Sequence, residues 1–247
     1  MTAWFEDESF WIETYPFMFP QQRFDMAWIE AEKILNLLEF KGRSVLDLCC
    51  GPGRIAIALA KRNLKVTGVD RSTFLLEKAK KRSKEEKLEV NWVLEDMRNF
   101  IQPDSFDLVL NIFTSFGFFE KEVDEIRVLK NVFQSLKKGG AFFIDLMGKE
   151  ILAGKFQATT SEKLPDSSII IQRHEVLSDW TRIRNEWLLN KGTTLKTFKF
   201  EHTIYSGQEL KELLFKAGFQ KIKLYGDFDG TPYGLNATRL IAVCHRE

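Results

Sequence analysis

Between residues 44 and 147, five short and nearly uninterrupted apolar runs alternate with segments of helical period. No other feature limits the possible folds of this chain so tightly. The runs are SVLDLC (44–49), LKVTGVD (64–70), LEVNWVLED (88–96), FDLVLNIF (106–113) and AFFIDLM (141–147). A strand that is apolar at both odd and even positions is covered on both faces, as a parallel strand is when helices lie on either side. Between the runs stand RIAIALAKR after Gly51-Pro52-Gly53, a helix capped by Ser72 and running to Glu86, and VDEIRVLKNVFQSLKKGG (123–140), a helix closed by its glycines. Ahead of them, residues 25–39 place Trp28, Ala31, Ile34, Leu35 and Leu38 on one helical face.

The pattern changes between about residues 168 and 205, where β-branched and aromatic stretches are broken by a turn at LNKGT. This predicts an antiparallel β insert. Ser206 and Glu209 then form an S-x-x-E capping box opening another helix, and 218–228 and 237–247 supply two last strands, an antiparallel pair at the sheet edge. There is no internal repeat, low-complexity tract or separating linker. The prediction is one α/β domain over 1–247, with a doubly wound, mostly parallel seven-stranded sheet.

Composition excludes several partners. The net charge of +1 offers no field to recruit nucleic acid or an anionic membrane. No apolar run approaches the roughly 20 residues that cross a bilayer, and the acidic start MTAWFEDESFW does not read as a signal peptide. Three cysteines, Cys49, Cys50 and Cys244, suit neither a disulfide framework nor a zinc site, so a reduced, cytoplasmic, metal-free protein is expected.

In an open α/β sheet, ligands bind beyond the carboxyl ends of the strands. Three acids lie at or near consecutive tips there: Asp47, slightly deeper, then Asp70 and Asp96. The corner glycines Gly51 and Gly53 let backbone approach a ligand closely. Asp70 can accept from a ribose diol and Asp96 from an exocyclic amine. A pyrophosphate would be repelled by such a cluster; a nucleoside bearing a sulfonium and an ammonium would not, which favours S-adenosylmethionine over a dinucleotide. An NAD(P)-dependent reductase on the same sheet, or a non-catalytic nucleotide-binding module, is the alternative.

VLDLCCGPGR, VTGVD, LEDMRNF and FDLVLNIFTSFGFF together resemble the signature series of class I S-adenosylmethionine-dependent methyltransferases. Cys49 stands where the first glycine of the family's corner usually sits, and Arg54 follows the last pair. The resemblance implies a Rossmann-like methyltransferase fold and methyl transfer to a small-molecule acceptor. It also implies that Asp47 and the backbone around Cys49 and Gly51 face the methionine part of the cofactor, with Gly53 among the cofactor-binding residues of the same corner. Asp70 would hold the ribose, with Arg71 beside the adenine. Asp96 and the Met97 backbone would hold the adenine edge, Asn111 and Phe113 would line the methyl side, and Arg23 would meet the cofactor carboxylate. No catalytic base is identifiable. Residues 1–24, aromatic and proline-broken, are expected to form a lid, and 150–205 an insert roofing the substrate site. Arg173, Arg182, Arg184, His174 and His202 on that insert are candidate substrate contacts. Phe116, Phe118 and Phe119 read as core and cavity wall, and KAKKRSKEEK (78–87) as a solvated helix face.

Overall fold

The computed structural model describes residues 4–247; Met1, Thr2 and Ala3, the first residues of the expected lid, lie outside the described residues. Five strands run parallel: β1 (Ser44–Leu48), β2 (Lys65–Asp70), β3 (Asn91–Leu94), β4 (Phe106–Asn111) and β5 (Leu136–Leu146). β10 (Gln220–Tyr225) and β11 (Leu240–His245) complete the sheet, in the order β10-β11-β5-β4-β1-β2-β3. β11 is antiparallel to both of its neighbours, so the predicted edge pair forms with β11 on the inside. β1 lies between β2 and β4. The strand order reverses there, which opens a crevice at the carboxyl ends.

Alternation along β1 divides the core. Leu46 and Leu48 pack on one face with Leu129 and Val132 of α5 (Glu122–Ser135) and Leu210 and Leu214 of α7 (Gly207–Lys216). Val45 packs on the other with Ala31 and Ile34 of α2 (Gln21–Leu37) and Ile55 and Leu59 of α3 (Arg54–Ala60). Both faces are dry, which is why the strands read as continuous apolar runs. α4 (Thr73–Glu85) begins at Ser72, whose hydroxyl accepts from Leu75 N, and the box of Ser206 and Glu209 caps α7 as its sequence predicts.

Several boundaries differ from the sequence reading. The helix expected over 123–140 ends at Ser135, and Leu136 already belongs to β5. Long-range bonds draw that stretch out: Lys137 Nζ donates to Asp107 (2.9 Å) and Ser44 (3.0 Å), and Gly139 N donates to Arg246 O (2.7 Å). β3 is shorter than 88–96, and α2 starts at Gln21, four residues before 25.

The proline-broken N-terminal stretch forms a three-residue 3-10 turn (Trp4–Glu6) and a real helix, α1 (Glu8–Met18), with Pro16 inside it. Asp7 caps α1 at Ser9 N (2.9 Å) and Phe10 buries itself, and together these outweigh the proline. After α6 (Lys149–Lys155) the insert is a four-stranded antiparallel meander of β6 (Thr159–Lys163), β7 (Ile169–Leu177), β8 (Arg182–Lys191) and β9 (Thr194–Thr203). β6 escaped the sequence reading because TTSEK is a mostly exposed edge without apolar alternation. Among the described residues no helix is long and apolar enough to cross a membrane.

Candidate active site

The backbone leaves β1 through three left-handed residues, Cys49 (φ 63°), Gly51 (φ 55°) and Gly53 (φ 78°). Position 49 therefore needs the conformation that glycine takes freely, and the cysteine there carries a cost of about 1–2 kcal/mol. Its thiol fills the floor instead, 3.4 Å from Met97 Sδ. Cys50 N donates to Val69 O (3.0 Å), tying the corner to β2. Gly51 N donates to Asp70 Oδ2 (2.7 Å) and Ser72 N to Asp70 Oδ1 (2.9 Å). One carboxylate at the tip of β2 thus joins the corner to the start of α4.

Above the corner lies a cavity of about 220 Å³. Nine of the residues picked out from sequence line it: Arg23, Asp47, Cys49, Gly51, Asp70, Arg71, Asp96, Met97 and Phe113. Gly53 and Asn111 are not in its wall. A Cβ on Gly53 would lie 2.6 Å from the Trp92 ring and 3.0 Å from Ala79, so this glycine makes room for α4 and β3, not for a ligand. Asn111 is buried beneath, donating from Nδ2 to Leu48 O (3.2 Å), while its Oδ1 has no partner. By contrast a Cβ on Gly51 would meet only the Phe19 ring, at 3.6 Å.

The three acids differ in state. Asp47 is 2% exposed and accepts from Ala56 N (3.0 Å); burial pushes its carboxyl up to about 7. Burial likewise raises Asp70 to about 6, against the opposing bonds from Ser72 and Gly51. Burial would raise Asp96 too, but hydrogen bonds and charge from Arg98, with Arg71 beyond, hold it below its ordinary value. Asp96 Oδ1 accepts from Arg98 N (2.8 Å) and Nε (2.9 Å), and Oδ2 from Nη2 (2.7 Å), leaving about one of its four acceptor positions open. Arg71 pairs with Glu6 (2.7 Å) and lies 5.1 Å from the Phe5 ring centre.

Further parts of the wall come from the N-terminal segment, expected as a lid, and from the motif after β4, whose Phe118 and Phe119 read as core and cavity wall. Trp4, Phe5, Trp11, Met18 and Phe19 close the cavity from the N-terminal segment, and Phe118 and Phe119 from the loop after β4. α1 is anchored by Glu8, whose carboxylate accepts from Thr73 N (2.9 Å) and Phe74 N (3.1 Å) at the open end of α4. Arg54 also lines the cavity. It is 8% exposed, pairs with Glu30, donates to Arg23 O (3.1 Å) and sits 4.0 Å from the Phe113 ring centre. Its position directly after the glycine corner was the only sequence signal for it. The Arg23 guanidinium has no ion-pair partner among the described residues.

The insert does not reach the cavity wall. Its inner face packs on the N-terminal segment, Trp187 and Phe200 against Phe10 and Trp187 against Phe17, and Lys191 and Lys196 hold Glu13 at 2.8 and 2.6 Å. Among the described residues it meets cavity-lining rings through Phe200 at Trp4 and His202 at Phe118, and Arg182 Nη1 donates to the backbone carbonyl of the wall residue Phe119 (3.5 Å). Arg173 pairs with Glu186, and Arg184 with Glu175 and Glu201, on exposed surface. Arg182 pairs with Glu201 at 3.7 Å. His174 and His202 flank Asn185, and burial lowers His202 to about 4, so it is a neutral ring.

Residues 45–140 match the family described as a methyltransferase domain. The chain is 29% identical to the putative methyltransferase YqeM of Bacillus subtilis (strain 168), over 86% of this chain and 85% of that protein. It is 25% identical to the cypemycin N-terminal methyltransferase of Streptomyces sp, over 90% and 89%. These matches support a class I S-adenosylmethionine-dependent methyltransferase. The fold of this methyltransferase is that of the CcbJ methyltransferase from Streptomyces caelestis (TM-score 0.77, 19% identity, 89% of each chain). It is also that of CalS10 from Micromonospora echinaspora, an amino pentose methyltransferase solved with its cofactor bound (TM-score 0.69, 19% identity, 91% of this chain and 92% of that one).

The residues of the methyltransferase fit that cofactor. Its positive sulfonium and ammonium suit a crevice with Asp47, Asp70 and Asp96 in its wall, and the glycine corner leaves the floor clear of a Cβ at Gly51. The aromatic rings suit both the adenine face and a cation.

Proposed function

We propose that the enzyme methylates a small molecule at an amine nitrogen, in the cytoplasm and without a nucleic-acid or membrane partner. The observation that carries this reading is the make-up of the cavity beyond its acids: apart from Asp47, Asp70 and Asp96, which this reading gives to the cofactor, and Glu95, whose Oε1 accepts from Asp96 N (2.9 Å), the described wall, with Trp4, Phe5, Trp11, Thr114, Ser115, Phe118 and Phe119, brings no carboxylate or imidazole. A hydroxyl acceptor needs a base to become a nucleophile. A free amine brings its own lone pair, and aromatic walls tolerate the cation that forms. The N-terminal segment over the cavity favours an acceptor small enough to be enclosed. Similarity to the cypemycin N-terminal methyltransferase agrees with nitrogen chemistry.

S-adenosylmethionine supplies a methyl group already activated on a sulfonium. The chain's own work is binding, alignment and exclusion of water. In this reading Asp70 accepts from the ribose diol. The open position of Asp96 and the Met97 backbone take the adenine edge, Asp47 faces the ammonium, and the unpaired Arg23 meets the carboxylate. The segment 4–24 is the lid, with Glu6, Glu8 and Glu13 as its three attachments.

A screen of purified enzyme against small amines and matched alcohols, read by S-adenosylhomocysteine release and the mass of the product, is expected to yield methylated amines. Methylation of alcohols alone, or of a macromolecule alone, would sink the proposal. In the same assay S-adenosylhomocysteine should raise the thermal midpoint and NADH should not.

A pH prediction follows from the two buried acids. Their folded pKa values, about 7 and about 6, lie above those of the unfolded chain, so the folded state holds more protons between pH 4 and 7. Their contribution to stability is therefore complete below about pH 4 and is lost as pH rises through 6 to 7. A cationic ligand favours the ionised forms. Its binding should release about one proton near pH 6 and tighten from about pH 5.5 to 7.5, while the unliganded protein loses stability. Calorimetry in buffers of different ionisation enthalpy checks this; proton-neutral binding would contradict it. Glu125, raised by burial to about 7, acts with the same sign on stability but lies outside the cavity wall. Glu125→Gln should leave the proton release unchanged.

A further inference from the structure

The loop after β4 contains two successive residues in the left-handed region, neither of them glycine: Phe113 (φ 59°) and Thr114 (φ 57°). A β-branched residue is a pronounced outlier there, and two in succession persist only where neighbours over-determine them. Both backbone N–H groups of the corner are held by one residue, which has a partner of its own; beside them, Thr114 Oγ1 accepts from Met147 N (3.1 Å) and Arg54 lies on the Phe113 ring. Phe113 N donates to Asp145 Oδ2 (2.9 Å), and Thr114 N to Asp145 O (3.0 Å). Asp145 is fully buried at the end of β5, and Arg239, ahead of β11, donates to it from Nε and Nη2 at 2.5 Å each. The Arg239 guanidinium also lies 4.8 Å from the Phe113 ring centre and 5.1 Å from that of Phe228. The pair therefore grips the strained corner by its backbone and by its ring, while Phe113, Thr114 and Ser115 present the corner's other side to the cavity.

We infer that Asp145 and Arg239 are positioning residues: they hold the Phe113–Thr114 corner against its own strain so that it forms the wall beside the methyl group to be transferred. The inference rests on the reading of the cavity as cofactor and acceptor site. Neither Asp145 nor Arg239 lines that cavity, so each acts through the corner. A bidentate, planar fork is what distinguishes Arg239 from a lysine at this position.

Three probes test it without knowledge of the acceptor: S-adenosylmethionine, S-adenosylhomocysteine and adenosine, titrated by calorimetry into wild type, Arg239→Gln and the milder Arg239→Lys. A corner released from its clamp should cost affinity at the methyl-bearing end alone. The expected result for Arg239→Gln is a loss of about tenfold for S-adenosylmethionine, with adenosine unchanged within about twofold. S-adenosylhomocysteine should fall between them, and Arg239→Lys should keep part of the loss. Amide exchange over 112–116 should quicken at least about tenfold while β1 and β5 keep their protection.

Equal losses for all three probes, or unchanged exchange over 112–116, would overturn the positioning role. If Arg239→Gln does not fold, Asp145→Asn, which keeps the volume, is read in the same way, and Arg239→Lys with no change in affinity or exchange counts against the inference. Failure of wild type to bind any of the three would instead strike at the cavity assignment, so the two failures are distinct.

Discussion

Asp70→Asn is expected to raise the dissociation constant for S-adenosylhomocysteine at least about 30-fold while leaving the protein folded. Two oxygens of this side chain accept from two backbone N–H groups, Gly51 on one side and Ser72 on the other. An amide of the same shape accepts on one side only and turns an N–H group toward the other donor. A buried unpaired donor costs about 1–3 kcal/mol. The acceptor proposed for the ribose diol disappears with it. Against this, the substitution removes a carboxylate that burial already disfavours, raising it to about 6. The two effects on the unliganded fold oppose each other, so the thermal midpoint should move little and the loss should appear in binding. Isothermal calorimetry with a parallel melting curve separates them. Unaltered affinity would remove Asp70 from the site; a collapsed midpoint would make it a purely structural linker of the corner to α4.

Gly53→Ala should act in the opposite sense, damaging stability by about 3 kcal/mol and lowering the thermal midpoint by about 6–12 °C. The substituted residue would keep a left-handed backbone (φ 78°) and press its methyl into the Trp92 ring, 2.6 Å away. Trp92 is not free to move aside, because its Nε1 donates to Ser83 (3.1 Å) and its ring also fills the space left by Gly68. Gly51→Ala is the informative comparison. It has the same backbone sign, but its methyl would meet only Phe19, at 3.6 Å, on the cavity side. That variant should lose cofactor affinity more than stability. A Gly53→Ala protein with a native midpoint and weakened binding would show that the second glycine faces the ligand after all.

The contrast between these glycines marks where sequence reading stopped. Gly-Pro-Gly announces a corner, and the flanking apolar runs announce the strands it joins, because period and punctuation are local properties of the backbone. The capping box at Ser206 and the acids near the strand tips were legible for the same reason. Nothing local says which glycine turns toward a ring from β3 and which toward open space. The N-terminal helix was hidden by Pro16, whose cost is met by Phe10 packing against Trp187 and Phe198, far along the chain. The boundary between α5 and β5 was misplaced because Lys137 and Gly139 find partners on β4, β1 and the C-terminus.

Similar reasons apply to the site. Asp47, Asp70 and Asp96 were identifiable as a set, but not their different states: two raised by burial, the third held down by the Arg98 fork. The Asp145–Arg239 clamp carries no sequence signal, since its members stand 94 residues apart. The insert was expected to roof the pocket directly, and instead the N-terminal segment lies between them, since its aromatic residues match the inner face of the meander.

What the residues alone decided is the doubly wound sheet, its punctuation and the cluster of acids at its carboxyl edge, all set by interactions within a few positions along the chain. Tertiary structure alone decided which of those groups share a cavity, which are already occupied by an arginine, and which strained corner is held in place. Desolvation and pairing depend on neighbours brought together by folding, and no local pattern encodes them.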